Sequence, residues 1–324
     1  MISSKTFLAG TVAVLLCGVC SFGHSQETGV CNAQNRYTIV VHGGITTSRE
    51  RVNDTQFALI RSVVAEARTD LVAGAKALDV VVDAIVVMED SGLFDAGKGS
   101  YLNTAGFTET DASLMDGHTG NTGAVAAIRR LKNPIKAAYI VMRDTPHVFF
   151  AGTTGEEVLI DLGAEQLEDP SSYFVPVLTA DPEDSNSGTV GAVALDRCGH
   201  LAAGTSTGGY FGKMPGRVGD SPIIGASTFA NDQYALSSSG RGENFIQRLV
   251  THDIAMRSTY QGISLQEAAD LVIHGLIGKV DQVPGAIIAV GKDGEIVMSG
   301  ANVIGIRHGY ASESGDVVVG LELP

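Results

Sequence analysis

The chain has 324 residues, a formal net charge of −14 and a pI near 4.9. That length supports a substantial core, and an acidic chain without a basic stripe excludes nucleic acid as a natural partner. Apolar residues make up 44% and aromatics 6%, and the 40 glycines show no collagen period; the composition is that of a soluble protein with small side chains and many tight turns.

Lys5, the apolar run Phe7 to Val19 and small polar residues through Ser25 read as an export signal. Residues 1–25 are expected to be removed, leaving a periplasmic or secreted protein with no membrane contact. An uncleaved anchor is the rival reading, although the run is short for a membrane span. Cys17 and Cys20 lie inside the apolar part. Cys31 and Cys198 remain after removal, free to pair with each other or to stay reduced.

In chain order, Tyr37 to Val41 reads as a buried strand running into a His42-Gly43-Gly44 turn. Phe57 to Leu71 has helical apolar spacing, and Leu78 to Val87 predicts a second, more buried helix with Asp79 and Asp83 on one polar face. Phe94 to Asp116 reads as loop. Gly123 to Ile128 is a strand, Asn133-Pro134 opens a helix through Met142, Val148 to Ala151 is a short strand, and Glu156 to Leu162 a short helix. From Glu168 to Ser187 the chain turns polar and irregular, the pattern of an exposed processing loop. Thr189 to Leu195 and Leu201 to Ser206 then form a hairpin across Asp196-Arg197-Cys198-Gly199. Gly208 to Gly225 is rich in turns. Ala235 to Ser238 is a strand, Glu243 to Tyr260 a helix, and Ser264 to Ile277 a helix opened by a Ser264/Glu267 capping box. A hairpin, Ala286 to Val290 with Ile296 to Ser299, and a strand Val317 to Leu321 close the chain. Paired strands and paired helices predict stacked layers rather than a doubly wound sheet.

Several chemistries lack their pattern. The eight histidines show no zinc-ligand spacing. Gly97-Lys98-Gly99 lacks the frame of a phosphate loop, and no G-x-S-x-G elbow is present. Hydroxyls beside glycines dominate instead: Thr189, Thr205, Ser206, Thr207, Ser237, Ser238 and Ser239. Each alone reads as a turn residue. Together with Arg217, whose fork suits a carboxylate, and Asp220, which suits an ammonium, they outline a site. An ordinary surface Arg–Asp pair is the plainer alternative. Thr189 is inert inside an intact chain. If the bond before it breaks, it gains an amine beside its hydroxyl, which is a nucleophile and its base in one residue.

Taken together, these motifs resemble the plant-type L-asparaginase / isoaspartyl peptidase family of N-terminal-nucleophile hydrolases, related to glycosylasparaginase. Gly188-Thr189-Val190-Gly191 matches its cleavage and nucleophile motif. Thr205-Ser206-Thr207-Gly208-Gly209 and Pro215 to Pro222 match the next two in order. His42-Gly43-Gly44, Phe94 to Gly99 and Asp111 to Gly117 match its first half, so the resemblance spans nearly all of the chain after the signal.

The resemblance implies a four-layer αββα sandwich of class α+β and self-cleavage between Gly188 and Thr189. The products would be an α-subunit (26–188) and a β-subunit (189–324) in one domain, usually paired as a homodimer of αβ units. It implies Thr189 as nucleophile, Thr207 as its orienting partner, and Ser239 with the Gly240 N–H as oxyanion donors. Arg217, Asp220, Arg241 and Gly242 would bind substrate. No catalytic metal or organic cofactor is implied. A structural sodium ion is implied at backbone carbonyls of the loop holding Met88, Glu89, Ser91, Phe94, Ala96 and Lys98. The activity implied is hydrolysis of β-aspartyl peptides and L-asparagine to L-aspartate. Glycosylasparaginase is the rival within the same chemistry, and a non-catalytic binding protein of the same fold is the rival outside it. The chain departs from the family pattern at Arg241, where a small residue is usual, and at Ser187, where histidine is common. Arg241 would either block the pocket or grip an acidic or longer leaving group.

Overall fold

The computed structural model describes residues 36–48, 53–175, 188–313 and 315–323, all within one compact unit, Asn32–Pro324. The signal-like segment 1–25, Cys31 and most of the polar loop (176–187) lie outside the described residues. In order the elements are β1 (Thr38–Thr46), α1 (Asp54–Ala73), α2 (Ala77–Asp90), a 3₁₀ turn (Gly97–Gly99), β2 (Thr110–Asp116), β3 (Thr122–Ile128), α3 (Pro134–Asp144), β4 (Phe149–Ala151), α4 (Gly152–Asp161) and α5 (Pro170–Tyr173). The second half adds β5 (Val190–Leu195), β6 (Leu201–Thr207), β7 (Thr228–Ala230), β8 (Tyr234–Gly240), α6 (Gly242–Arg248), α7 (Val250–Gln261) and α8 (Leu265–Asp270). A π-helical stretch (Leu271–Val280), β9 (Gly285–Gly291), β10 (Ile296–Ala301), β11 (Gly305–Ser312) and β12 (Val318–Gly320) follow.

Strand alternation sets the layers, because successive side chains point to opposite faces of a sheet. In β1, Ile39 and Val41 join the core under α1 and α2, whereas Val40 joins the core that also holds Ile288 and Val290 of β9. In β9 the neighbours Ile287 and Ala289 turn the other way, onto Val250, Ile254 and Ile273 of the C-terminal helices. The order is therefore helices, sheet, sheet, helices: the expected αββα sandwich. One sheet runs β12-β11-β1-β5-β6-β2-β3-β4 and the other β10-β9-β8-β7. All named pairings are antiparallel except β3 with β4.

Local chemistry accounts for the helix limits. Asn53 caps α1 by accepting the Thr55 N–H, and Gly74 ends it at φ 96°. The valines of α2 favour strand by propensity, but Val80, Val81 and Ile85 bury their faces under the large sheet, and that packing decides. Ser264 caps α8 by accepting the Glu267 N–H, as the capping box requires.

Several expectations need correction. β1 does not stop at Val41; it runs through His42-Gly43-Gly44 to Thr46, with a register shift between His42 and Ile45. Part of the expected loop Phe94 to Asp116 is β2, so Asp111 sits in a central strand. The helix expected from Glu243 to Tyr260 breaks at Leu249, whose φ is 48°. β7 and β11 were not expected. β11 hides its period because Arg307 and His308 are buried beside its apolar residues. Cys198, in the β5–β6 turn, is disulfide-bonded, which removes the free-thiol alternative for that residue.

Candidate active site

Thr189 immediately precedes β5, which lies between β1 and β6 in the large sheet. Val190 pairs with Ser206, so the register brings Thr189 alongside Thr207 at the end of β6. Their Oγ1 atoms are 3.1 Å apart. Thr207 Oγ1 accepts the Gly209 N–H at 2.9 Å. Either hydroxyl can donate in the contact with Thr189, and the contact orients the nucleophile's oxygen.

The surrounding pocket is small, about 30 Å³, room for roughly one water molecule. Gly188, Thr189, Thr207, Arg217, Asp220, Ser239, Gly240, Arg241 and Gly242 all line it. The structure thus gathers every catalytic, binding and cleavage residue expected from sequence. Met88, Glu89, Ser91, Phe94, Ala96 and Lys98 do not line it. A larger cavity of about 700 Å³, bounded by Phe107, Arg129 and Phe174, shares none of these residues; chemistry, not volume, locates the site.

The charged groups are graded by burial. Asp220 is buried, and burial pushes its carboxyl up to about 6, with Arg217 pulling the other way. Arg217 donates from Nε to Glu243 Oε1 at 3.0 Å and lies 4.7 Å over the Tyr210 ring. Burial is the largest influence on the Glu243 carboxyl and pushes it up, yet the Arg217 hydrogen bond, a backbone hydrogen bond and the charges of Arg217 and Arg241 together hold it below its usual range. Arg241 covers the same ring at 5.5 Å and approaches Glu243 Oε2 at 3.5 Å, an ion contact without hydrogen-bond geometry. Gly242 completes the wall by close approach: a Cβ there would sit 2.7 Å from Arg217 Nη2 and 2.8 Å from Asp220 Oδ1. At the end of β8, Ser239 Oγ accepts the Ile45 N–H at 3.3 Å and keeps its own proton for another partner.

Beneath the nucleophile runs a buried hydroxyl chain. His42 Nδ1 accepts the Gly44 N–H at 3.3 Å, which leaves the ring proton on Nε2, 3.0 Å from Ser237 Oγ. Ser237 contacts Thr205 at 2.7 Å, Thr228 contacts Thr205 at 2.6 Å, and Ser113 contacts Thr228 at 2.9 Å. Burial drives the His42 imidazole down to about 3. On the Arg217 side, Glu109 accepts the Gly216 N–H, and buried Lys213 donates to the Glu109 carbonyl at 2.8 Å.

Tyr210, Glu243, Glu109 and Lys213 were missed from sequence. Tyr210 and Lys213 sit in the turn-rich stretch already marked for Arg217. Glu243 follows Gly242 directly and reads as an ordinary first-turn helix acid. Nothing in sequence links Glu109 to Gly216, more than a hundred positions away. Among the described residues Asp196, Cys198 and His200 lie close enough to ligate a metal, but the Cys198 sulfur is committed to its disulfide.

An αββα sandwich with a Gly-Thr step at the head of a central strand, its hydroxyl held by a second threonine, has the architecture of the N-terminal-nucleophile hydrolases. The family model described as asparaginase matches residues 35–175 and 171–320. Isoaspartyl peptidase of Escherichia coli (strain K12) is 37% identical over 302 residues, covering 85% of this chain and 94% of the relative. Isoaspartyl peptidase/L-asparaginase of Mus musculus is 40% identical over 278 residues, covering 80% and 83%. The Bos taurus protein of the same name is 39% identical over 278 residues, covering 79% and 87%. The chain belongs to the asparaginase family of N-terminal-nucleophile hydrolases.

Proposed function

We propose that the chain cuts itself between Gly188 and Thr189, and that the product is an amidohydrolase releasing L-aspartate from β-aspartyl (isoaspartyl) peptides and L-asparagine. The carrying observation is the 3.1 Å contact of Thr189 Oγ1 with Thr207 Oγ1 in a pocket that also holds Arg217 and Asp220. The names of the relatives support the substrate class.

In processing, Thr189 Oγ1 attacks the Gly188 carbonyl carbon, the peptide C–N bond breaks as the hydroxyl proton passes to the departing Thr189 nitrogen, and an ester forms. Water then hydrolyses the ester, giving a Gly188 carboxylate and a free Thr189 amine. That amine, with a reference pKa of about 7.7–8.0, is neutral in part near pH 7. It takes the hydroxyl proton as Oγ1 attacks the side-chain carbonyl of the aspartyl group. The Ser239 hydroxyl and the Gly240 N–H stabilise the oxyanion. The ammonium returns its proton to the leaving nitrogen, and water releases aspartate from Thr189. Arg217 holds the substrate α-carboxylate and Asp220 its α-ammonium. With Gly188 in place the pocket has room for about one water, which supports cleavage before catalysis.

The α- and β-subunits stay together in one domain and pair as a homodimer. The disulfide at Cys198 supports an oxidising compartment, periplasmic or secreted. A structural sodium ion is proposed at backbone carbonyls of the loop 88–98. A Cβ at Gly97 would stand 2.8 Å from the Glu89 carbonyl oxygen, and one at Gly99 would run into the Phe94 carbonyl oxygen and lie 3.0 Å from that of Gly92, so the loop packs its backbone oxygens, the donor type sodium takes, against these two glycines. The carbonyls of Met88, Ala96 and Lys98 already accept Ser91 Oγ, Gly99 N–H and Val175 N–H, one bond each. Such an ion would brace the loop and take no part in the reaction.

One gel tests the reading. The purified protein should separate into two fragments, the smaller beginning at Thr189 by N-terminal sequencing, and should release aspartate from a β-aspartyl dipeptide. Thr189→Ala should remain one chain without activity. An uncut wild type with full activity removes the mechanism.

A further inference from the structure

Two guanidinium groups share the Tyr210 ring, but they are held very differently. The Arg217 side chain is 15% exposed and fixed by a hydrogen bond to Glu243 Oε1. The Arg241 side chain is 51% exposed and touches Glu243 only through the 3.5 Å ion contact. Among the described residues it makes no side-chain hydrogen bond. An exposed ion contact of that kind is weak and exchanges readily. A guanidinium at a pocket rim without a bidentate partner is matched by a carboxylate.

Chain order says which carboxylate. Arg241 directly follows Gly240, the proposed oxyanion donor, and lines the same pocket as Thr189 and Gly240. The leaving nitrogen is bonded to the carbonyl carbon under attack. In a β-aspartyl dipeptide this nitrogen carries a carbon bearing the C-terminal carboxylate, two bonds away. Asparagine releases ammonia and offers no such group. We propose that Arg241 is a leaving-side subsite for the α-carboxylate of the amino acid cut away, making β-aspartyl dipeptides with a free C-terminus the favoured class. The proposal rests on the amidohydrolase reading above.

The test compares kcat/KM for β-aspartyl-leucine and for its C-terminal amide, in wild type and in Arg241→Met, which keeps an apolar stem of similar shape. The wild type should prefer the free acid by about five- to tenfold, in line with a charge-assisted hydrogen bond at a partly exposed site. The preference should collapse toward one in Arg241→Met and be partly retained in Arg241→Lys. An equal acid-to-amide ratio in wild type and Arg241→Met overturns the proposal and leaves Arg241 as a cover for Tyr210. If Arg241→Met fails to process, the wild type decides alone: its ratio should fall as salt is raised, and a ratio insensitive to salt overturns the subsite. A wild type that cleaves neither compound defeats the amidohydrolase reading itself, which is a separate failure.

Discussion

Gly188 packs against Asp95 so closely that a Cβ on Gly188 would run into the Asp95 Cβ and stand 2.6 Å from its main-chain nitrogen. On the other side Gly44 presses in, and a Cβ there would lie 2.6 Å from the Gly188 nitrogen. The residue whose carbonyl is attacked in the proposed cut is therefore pressed by both neighbours. Gly188→Ala forces one neighbour to move, an overpacking change that costs about 1–3 kcal/mol where it has been measured. Processing should slow at least tenfold, followed as loss of the full-length band over time. Cutting at the wild-type rate would show that the clamp does not position the bond.

Thr207→Val removes the hydroxyl that points at Thr189 and keeps the shape of the side chain. With the nucleophile unheld, kcat should fall by about a hundredfold, the scale of a lost positioned donor in an active site. KM should move little, because the proposed substrate contacts of Arg217 and Asp220 are untouched. The variant is best assayed after confirming the fragment that begins at Thr189. A KM effect without a kcat effect would reassign Thr207 to binding.

Asp220 gives the pH profile a signature. Burial raises its carboxyl to about 6 in the free enzyme. The group must be ionised to take a substrate ammonium, so kcat/KM should fall as pH drops through about 6. Once the ammonium is bound, it favours the carboxylate and moves that titration lower. The limb near 6 should then be present in kcat/KM, which reports free enzyme, and absent from kcat, which reports the complex. Finding the limb in both would mean that another group titrates there.

Glu89 should govern stability rather than catalysis. It is wholly buried at the end of α2, accepts the Ile135 N–H at 3.1 Å and the Ser206 hydroxyl at 2.6 Å, and burial raises its carboxyl to about 8. The folded state therefore binds a proton that the unfolded state releases from about 4.5 upward. Its contribution is fully present below about 4.5 and is lost as pH rises through about 8. Glu89→Gln keeps the accepting oxygen and removes the titration. The Tm of wild type relative to this variant should drop between pH 5 and 8.5, by about 2–4 °C for each kcal/mol of linkage. Parallel Tm curves would place the Glu89 titration elsewhere.

The layers were legible because strand and helix periods are carried by apolar residues, as in β5, β6 and α1. β11 was not, because Arg307 and His308 are buried within it and break the alternation that marks a strand. The site residues were legible through short motifs, each kept together on one turn or strand end. Glu109 and Lys213 were not, because their roles depend on β2 lying beside the Gly208–Gly216 turn, a proximity created only by folding. His42 was placed in a turn, yet it ends a run of β1 residues paired to β5, directly opposite Gly191.

The hydroxyl chain that begins at His42 has a consequence for timing. An imidazole held at about 3 stays uncharged throughout the neutral range and, with its Nε2 proton directed at Ser237, offers no resident proton acceptor to the threonine above it. Under the proposed mechanism the base needed for turnover is then the Thr189 amine that the cut releases. On that proposal a newly made chain, with about 30 Å³ beside Thr189 and no free amine, can turn only on the bond already held against it, and becomes able to act on other amides after severing it.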